Sequence, residues 1–137
     1  LIYQFPFHWM AAPSLLKKWQ DEVFTFLSKT PAVAGKPLTV VTTTGSEYEA
    51  YRSGGRNRFT VDELLRPYQV SAIHSGMSWQ TPVVVYGMGT ADAGKNIAEG
   101  ANLYKQRVEM LIGSSNAGII SYTLFRLAIS KNKLAIS

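Results

Sequence analysis

The 137 residues carry 14 Lys and Arg against 9 Asp and Glu, a formal charge of +5, and 46% of them are hydrophobic. That length and composition suit one globular domain with a substantial core and are too apolar for a disordered chain. Cys is absent and His occurs only at positions 8 and 74, which removes disulfides, thiolate zinc sites, Cys nucleophiles and His-rich metal centres, so no metal site is expected.

In chain order, Leu1–Phe5 reads as a buried strand ending at Pro6. The chain opens on this strand without a Met, so the expectation is the rear portion of a larger domain. Ser14 can cap a helix running to about Leu27, with Leu15, Leu16, Trp19, Val23, Phe26 and Leu27 on its apolar face. Pro31 and Gly35 mark a connection to a β-branched strand, residues 38–43. Residues 44–59 are polar and Gly-rich, a long loop. Thr60 and Glu63 form a capping box for a helix that buries Val61, Leu64, Leu65, Tyr68 and Ala72, with a kink at Pro67. Residues 83–86 make a third strand. A last helix begins at Asp92 and runs to about Leu111, with Ile97, Ala101, Tyr104, Val108 and Leu111 on one stripe.

The order βαβαβα, with short strands apolar on both faces, predicts an α/β fold: a parallel sheet with helices on both faces. Ligands of such sheets sit beyond the carboxyl ends of the strands, which selects the loops Pro6–Pro13, Thr43–Phe59 and Gly87–Asp92. No run is long and apolar enough for a membrane span, and the N-terminus lacks the features of a signal peptide. A boundary falls near residue 118. The tail 119–137 holds Arg126, Lys131 and Lys133 with no acid, so more than half of the +5 lies there, and charge is a poor argument for nucleic-acid binding. The tail receives no role.

Phe5, Phe7 and Trp9 in the first loop could wall a flat ring, with backbone amides bonding its polar edge, or could close the end of the core. Thr43, Thr44, Gly45 and Ser46 could hold a carbonyl or phosphate oxygen, or form a plain turn; they match neither a phosphate-loop nor a dinucleotide glycine motif. Arg52, Arg56 and Arg58 could contact phosphate or be solvated. His8 could donate a proton or be a neutral loop residue, and His74, late in a helix, reads as structural.

Gln4-Phe5-Pro6-Phe7-His8-Trp9, Pro13-Ser14-Leu15-Leu16-Lys17-Lys18-Trp19 and Asp21-Glu22-Val23-Phe24 resemble the NAD(P)H:quinone oxidoreductase family of flavodoxin-like flavoproteins. That group includes quinone reductases, modulators of drug activity and ancillary oxidoreductases of glutathione-gated potassium-efflux systems. The likeness continues through Gly35-Lys36, Thr43-Thr44-Gly45, Tyr51, Arg58-Phe59-Thr60, Glu63-Leu64-Leu65-Arg66-Pro67, Gly76-Met77, Pro82 and Tyr104-Lys105-Gln106-Arg107, over roughly residues 1–112.

The resemblance implies a parallel sheet of order 2-1-3-4-5, of which only the last three βα units are present, with residues 1–5 as the third strand. It implies FMN or FAD as cofactor and NAD(P)H as substrate, hydride passing through flavin N5 to a quinone. Pro6, Phe7, His8, Trp9 and Met10 would line the flavin ring, Thr43, Thr44, Gly45 and Ser46 would meet its other edge, and Tyr51 and His8 would serve catalysis. A homodimer and a cytoplasmic location, peripheral at the inner face of the membrane, are further implications. The alternative is a non-catalytic module regulating a potassium-efflux transporter; nucleic acid is not an expected partner. The family's first two strands and phosphate loop are missing, Thr-Thr-Gly-Gly has become Thr-Thr-Gly-Ser, and His8 stands where Gln is frequent. An unpaired first strand and weak flavin binding are therefore expected.

Overall fold

The computed structural model describes residues 1–113. The boundary expected near 118 and the tail 119–137 lie outside the described residues.

β1 (Ile2–Pro6) and β2 (Pro37–Thr43) run parallel, Tyr3 opposite Val40 and Pro6 opposite Thr43. The expected third strand forms as two pieces, β3 (Ser78–Trp79) and β4 (Val83–Val85), both parallel to β2 on its other side. Pro82 explains the interruption, because it offers no N–H to the ladder. Gln80 N–H still reaches the Leu38 carbonyl at 2.8 Å, and the Thr39 hydroxyl bonds the Thr81 carbonyl at 3.1 Å. The sheet order is thus β1, β2, then β3 and β4 together. The outer edge of β1 is unpaired among the described residues.

One face of the sheet carries Tyr3, Phe5, Leu38 and Val40, buried under the first helical segment and the middle one. The first segment runs from α1 (Ser14–Trp19) through a π-helical stretch, Gln20–Phe24, into α2 (Thr25–Leu27). The π stretch adds a residue to the turn. Phe24 therefore arrives beneath Trp19, their rings stacked at 5.8 Å, and Phe24 is buried. This corrects the expected apolar face: Leu15, Val23 and Phe26 are exposed, while Leu16, Trp19 and Leu27 are half-buried. Ser14 is the first helical residue rather than a cap, Pro13 holding the cap position without a side-chain bond. Tyr3 meets Trp19, Phe24 and Tyr68 edge-on at 6.0, 6.3 and 6.2 Å, and burial pushes its hydroxyl up to about 12.

The capping box forms as expected at the start of α3 (Val61–Leu64): Glu63 N–H bonds the Thr60 hydroxyl at 3.2 Å and Thr60 N–H bonds the Glu63 carboxylate at 2.8 Å. At Leu65 the chain leaves helical geometry, and α4 (Arg66–His74) starts with Pro67 in its first turn, where a missing N–H costs nothing. Gly76, at φ 67, closes α4: Met77 N–H returns to the Ala72 carbonyl at 2.9 Å and Gly76 N–H to Ile73 at 3.0 Å.

The opposite face carries Val41, Val83 and Val85 and is covered by α5 (Ala93–Gly113). Gly100 lies against β4, since a Cβ there would come within 2.2 Å of a Val85 methyl. This close approach changes the first half of the expected stripe: Tyr104, Val108 and Leu111 turn inward as expected, but Ile97 and Ala101 are exposed and Asn96 and Gly100 face the sheet instead.

Two outcomes test this packing. Gly100→Ala should destabilise by roughly 1–3 kcal/mol through overpacking, and Val85→Ala in the same chain should restore most of the loss in thermal melts. Bonds from Thr60, its backbone N–H first, lower the Glu63 pKa. The box is therefore at full strength above the ordinary carboxyl range and weakens as pH falls through the lowered value. Melting temperature should drop more steeply in the native chain than in Glu63→Gln between neutral pH and about pH 3.

Candidate functional site

The parallel register puts Pro6 beside Thr43 and Thr43 beside Val85. The three loops selected from topology therefore leave one rim together. Phe7 N–H extends the ladder to the Thr43 carbonyl at 2.9 Å, and Thr44 N–H does the same toward Val85 at 2.9 Å.

Beyond Phe7 the first loop doubles back. His8 and Ala11 exchange two backbone bonds of 2.8 and 2.9 Å, and the two residues between them, Trp9 and Met10, both have positive φ, 45° and 63°. That is the pattern of a tight type I′ turn, usually built from Asn-Gly. Bulky side chains in this region cost roughly 1–2 kcal/mol each, so the surroundings must hold the turn. Ala12 N–H anchors its exit by bonding the Tyr68 hydroxyl at 2.9 Å. Trp9 is 96% exposed at the tip. The amides of Trp9 and Met10 have no protein acceptor among the described residues.

The second loop is held by the third. Met88, Gly89 and Gly87 N–H groups bond the carbonyls of Thr44, Gly45 and Ser46 at 2.9, 2.8 and 2.9 Å. Gly89 must be small, since a Cβ would lie 3.0 Å from the Gly45 oxygen. The Thr44 hydroxyl is buried and donates to the Ser46 carbonyl at 2.8 Å, so it is not free for a ligand. The amides of Gly45 and Ser46 remain without acceptors among the described residues, and no atom lies within 4 Å of a Cβ built on Gly45. Arg56 donates to the Ser46 hydroxyl at 2.6 Å.

Tyr51 ends a short 3-10 turn, Tyr48–Tyr51, inside the second loop and is 5% exposed. Its ring meets Phe7 at 6.2 Å and Tyr86 at 5.9 Å, and Tyr86 meets Tyr48 at 5.3 Å. Burial, then the charge of Asp62, pushes the Tyr86 hydroxyl up to about 12. His8 is exposed within the turn, and His74 closes α4 at the surface, away from these loops in the chain. Two shallow clefts, about 360 and 430 Å³, flank β4, where Val84, Tyr86 and Leu103 border both. Neither is lined by the first loop. Among the described residues no group of acids and histidines could hold a metal ion, and no helix is long and apolar enough to cross a membrane.

The starts of the first and second loops, at Pro6 and Phe7 and at Thr43, thus lie side by side, and Tyr51 packs against Phe7. Sequence reasoning missed Tyr68, read only as core, and the supporting role of Gly87 and Gly89. The paired glycines after a strand were the available signal for the latter.

This rim lies at the carboxyl ends of parallel strands, the place where open α/β sheets receive ligands between loops. Residues 1–108 match the model of the family described as Flavodoxin-like fold, and the chain belongs to that family. A protein of Bacillus subtilis (strain 168) named as an uncharacterized NAD(P)H oxidoreductase, YdeQ, is 37% identical over 112 residues, 79% of this chain and 56% of its own. A glutathione-regulated potassium-efflux system ancillary protein, KefG, of Serratia proteamaculans (strain 568) is 40% identical over 90 residues, 63% of this chain and 49% of its own. The chain therefore spans about half the length of these relatives. The crystal structure of general stress protein 14 from Treponema denticola in complex with FMN superposes with TM-score 0.71 at 29% identity, covering 81% of this chain and 65% of that one. An NADPH-quinone reductase from P. pentosaceus gives 0.63 at 28% identity, covering 85% and 67%.

Met10→Gly should relieve the strained turn and raise stability by about 1 kcal/mol, while Tyr68→Phe should cost about 1–2 kcal/mol by leaving the Ala12 amide without its partner. Chemical denaturation of the two variants measures both.

Proposed function

We propose that this chain forms the ring-binding side of a flavin-dependent NAD(P)H oxidoreductase. The observation that carries the reading is the pair of adjacent turns with unspent amides: Trp9 and Met10 on one side, Gly45 and Ser46 on the other. Such donors suit the carbonyl and nitrogen edge of an isoalloxazine, and the open space at Gly45 lets a flat ring approach the backbone. The donor set therefore fits the cofactor, and the FMN-bound relative supports FMN over FAD. When bound, the flavin would take hydride from NAD(P)H and return two electrons to an acceptor, a quinone in our reading, as the name of one structural relative suggests.

The chain's own residues position and polarise. The ladder bond from Phe7 to Thr43 fixes the spacing of the two turns. Phe7 and Trp9 supply apolar walls, and Pro6 limits the loop's freedom. Tyr51, packed between Phe7 and Tyr86, is the hydroxyl assigned to the reacting carbonyl. His8, exposed in the turn, is assigned as a proton donor. Thr43 contributes its carbonyl to the rim, and Thr44 keeps the second turn in shape through Ser46. We assign the protein to the cytoplasm and expect a homodimer.

The second reading, a module that docks on a potassium-efflux transporter at the inner membrane face, is favoured by the likeness to an ancillary protein of such a system. The two readings differ in whether the isolated protein turns over NAD(P)H with a soluble quinone.

Gly45→Leu tests the rim. A Cβ at this position has no atom within 4 Å, and a Leu side chain built from it would occupy the ring's place. Flavin fluorescence should be quenched by the native chain with a micromolar or weaker dissociation constant, and affinity should fall at least about tenfold in the variant at unchanged melting temperature. Equal FMN binding by both proteins would sink the assignment. Tyr51→Phe should lower kcat while leaving FMN affinity alone.

A further inference from the structure

We propose that the loop carrying Arg56 and Arg58 binds the 2′-phosphate of NADPH, making this the NADPH-selective member of the two pyridine-nucleotide possibilities. The proposal rests on the oxidoreductase reading above and adds its substrate class. The first and third rim loops, residues 6–13 and 87–92, contain no Lys or Arg, so the cations of the rim are those of the second loop.

Those cations are held in a folded loop. Gly55 N–H bonds the Arg52 carbonyl at 2.9 Å, Asn57 N–H the Ala50 carbonyl at 2.9 Å, and Arg58 N–H the Gly55 carbonyl at 3.1 Å. Gly55 is pressed onto the preceding turn, since a Cβ there would lie 2.1 Å from the Glu49 oxygen. Arg52 is already engaged, 3.6 Å from Glu49 and 5.6 Å over the Tyr48 ring. Arg56 and Arg58 make no ion pair among the described residues. Arg56 touches the rim itself through Ser46. Arg58 holds a positive φ of 63°, which glycine would adopt at less cost. Strain of this kind persists only where the surrounding structure holds it, here through the Arg58 N–H bond to the Gly55 carbonyl, which fixes the start of the Arg58 side chain.

Two exposed guanidinium groups in one loop, without an ion pair among the described residues and one of them bonded to the rim at Ser46, suit a phosphate monoester dianion, which each can grip with two parallel bonds. NADPH carries one and NADH does not. FMN carries another, but a resident cofactor gains from donors that stay out of water, whereas a substrate released every cycle suits exposed, salt-screened contacts.

The test compares 2′,5′-ADP with 5′-ADP, and FMN with riboflavin, by calorimetry on the full chain. Arg58→Gly removes the charge while easing the backbone, so its melting temperature should hold or rise. Arg56→Gln removes the charge and leaves a shorter, uncharged polar side chain at that position. The native chain should prefer 2′,5′-ADP by about tenfold at low salt, each variant should lose most of that preference, and FMN affinity should not change. Equal affinity for the two adenosine phosphates, or a preference that survives in the double variant, overturns the proposal. It is also overturned if the variants weaken FMN but not riboflavin, which would place the arginines on the flavin phosphate. Failure of the flavin reading is separate: Gly45→Leu would then leave FMN binding unchanged while the adenosine phosphates still discriminated.

Discussion

The bond from Phe7 N–H to the Thr43 carbonyl, 2.9 Å long, is the constraint on which the rim depends. It is the last rung between β1 and β2, made one residue past the end of the strand. Parallel pairing in register brings strand ends level, and this rung keeps the chain in contact just as it turns. Without it, the first loop would leave the sheet at Pro6 and its two free amides would have no fixed relation to those of Gly45 and Ser46. The equivalent rung from Thr44 to Val85 adds the third loop. Site geometry here is inherited from the ladder rather than from contacts among the site residues, as expected for ligand sites at the ends of parallel strands.

The third loop acts as a clamp. It spends three amides on the carbonyls of Thr44, Gly45 and Ser46, while the N–H groups of Gly45 and Ser46 have no acceptor among the described residues. Gly87, at φ 77 and close to Asn96, and Gly89, against Gly45, are the positions where a side chain would push the clamp away. Asn96 in turn bonds the Tyr86 carbonyl at 3.0 Å, joining the start of α5 to the end of β4. The rim is thus supported from the helix behind it.

Much of this was legible in the sequence, and the misses have physical causes. β-branched runs bounded by Gly and Pro identified β2 and β4, and Thr60 with Glu63 identified a helix start, because those signals are local. The face of the first helix was misassigned because a π turn changes the period after Trp19, and no residue between Gln20 and Phe24 announces it. The start of the stripe on α5, at Ile97 and Ala101, was misplaced because Gly100, rather than a large apolar residue, packs tightly on Val85. Periodicity counts apolar side chains and so overlooks a glycine contact. The loops of the site followed from topology and resemblance together. The handedness of the turn at Trp9 and Met10 did not, since neither residue favours positive φ. The tether at Tyr68 joins residues 56 apart in the chain, which a local reading does not reach.

The turn at Trp9 and Met10 also bears on the order in which the protein assembles. A hairpin tip of Asn-Gly forms early because its own backbone favours it, whereas this tip is disfavoured locally and is imposed by anchors at Thr43 and Tyr68. It belongs to the late stage of folding, after β2 and α4 have docked. Changes that ease or loosen it act mainly on how fast the native protein opens and hardly on how fast it forms. The lifetime of the closed rim can therefore change while the speed of folding stays the same.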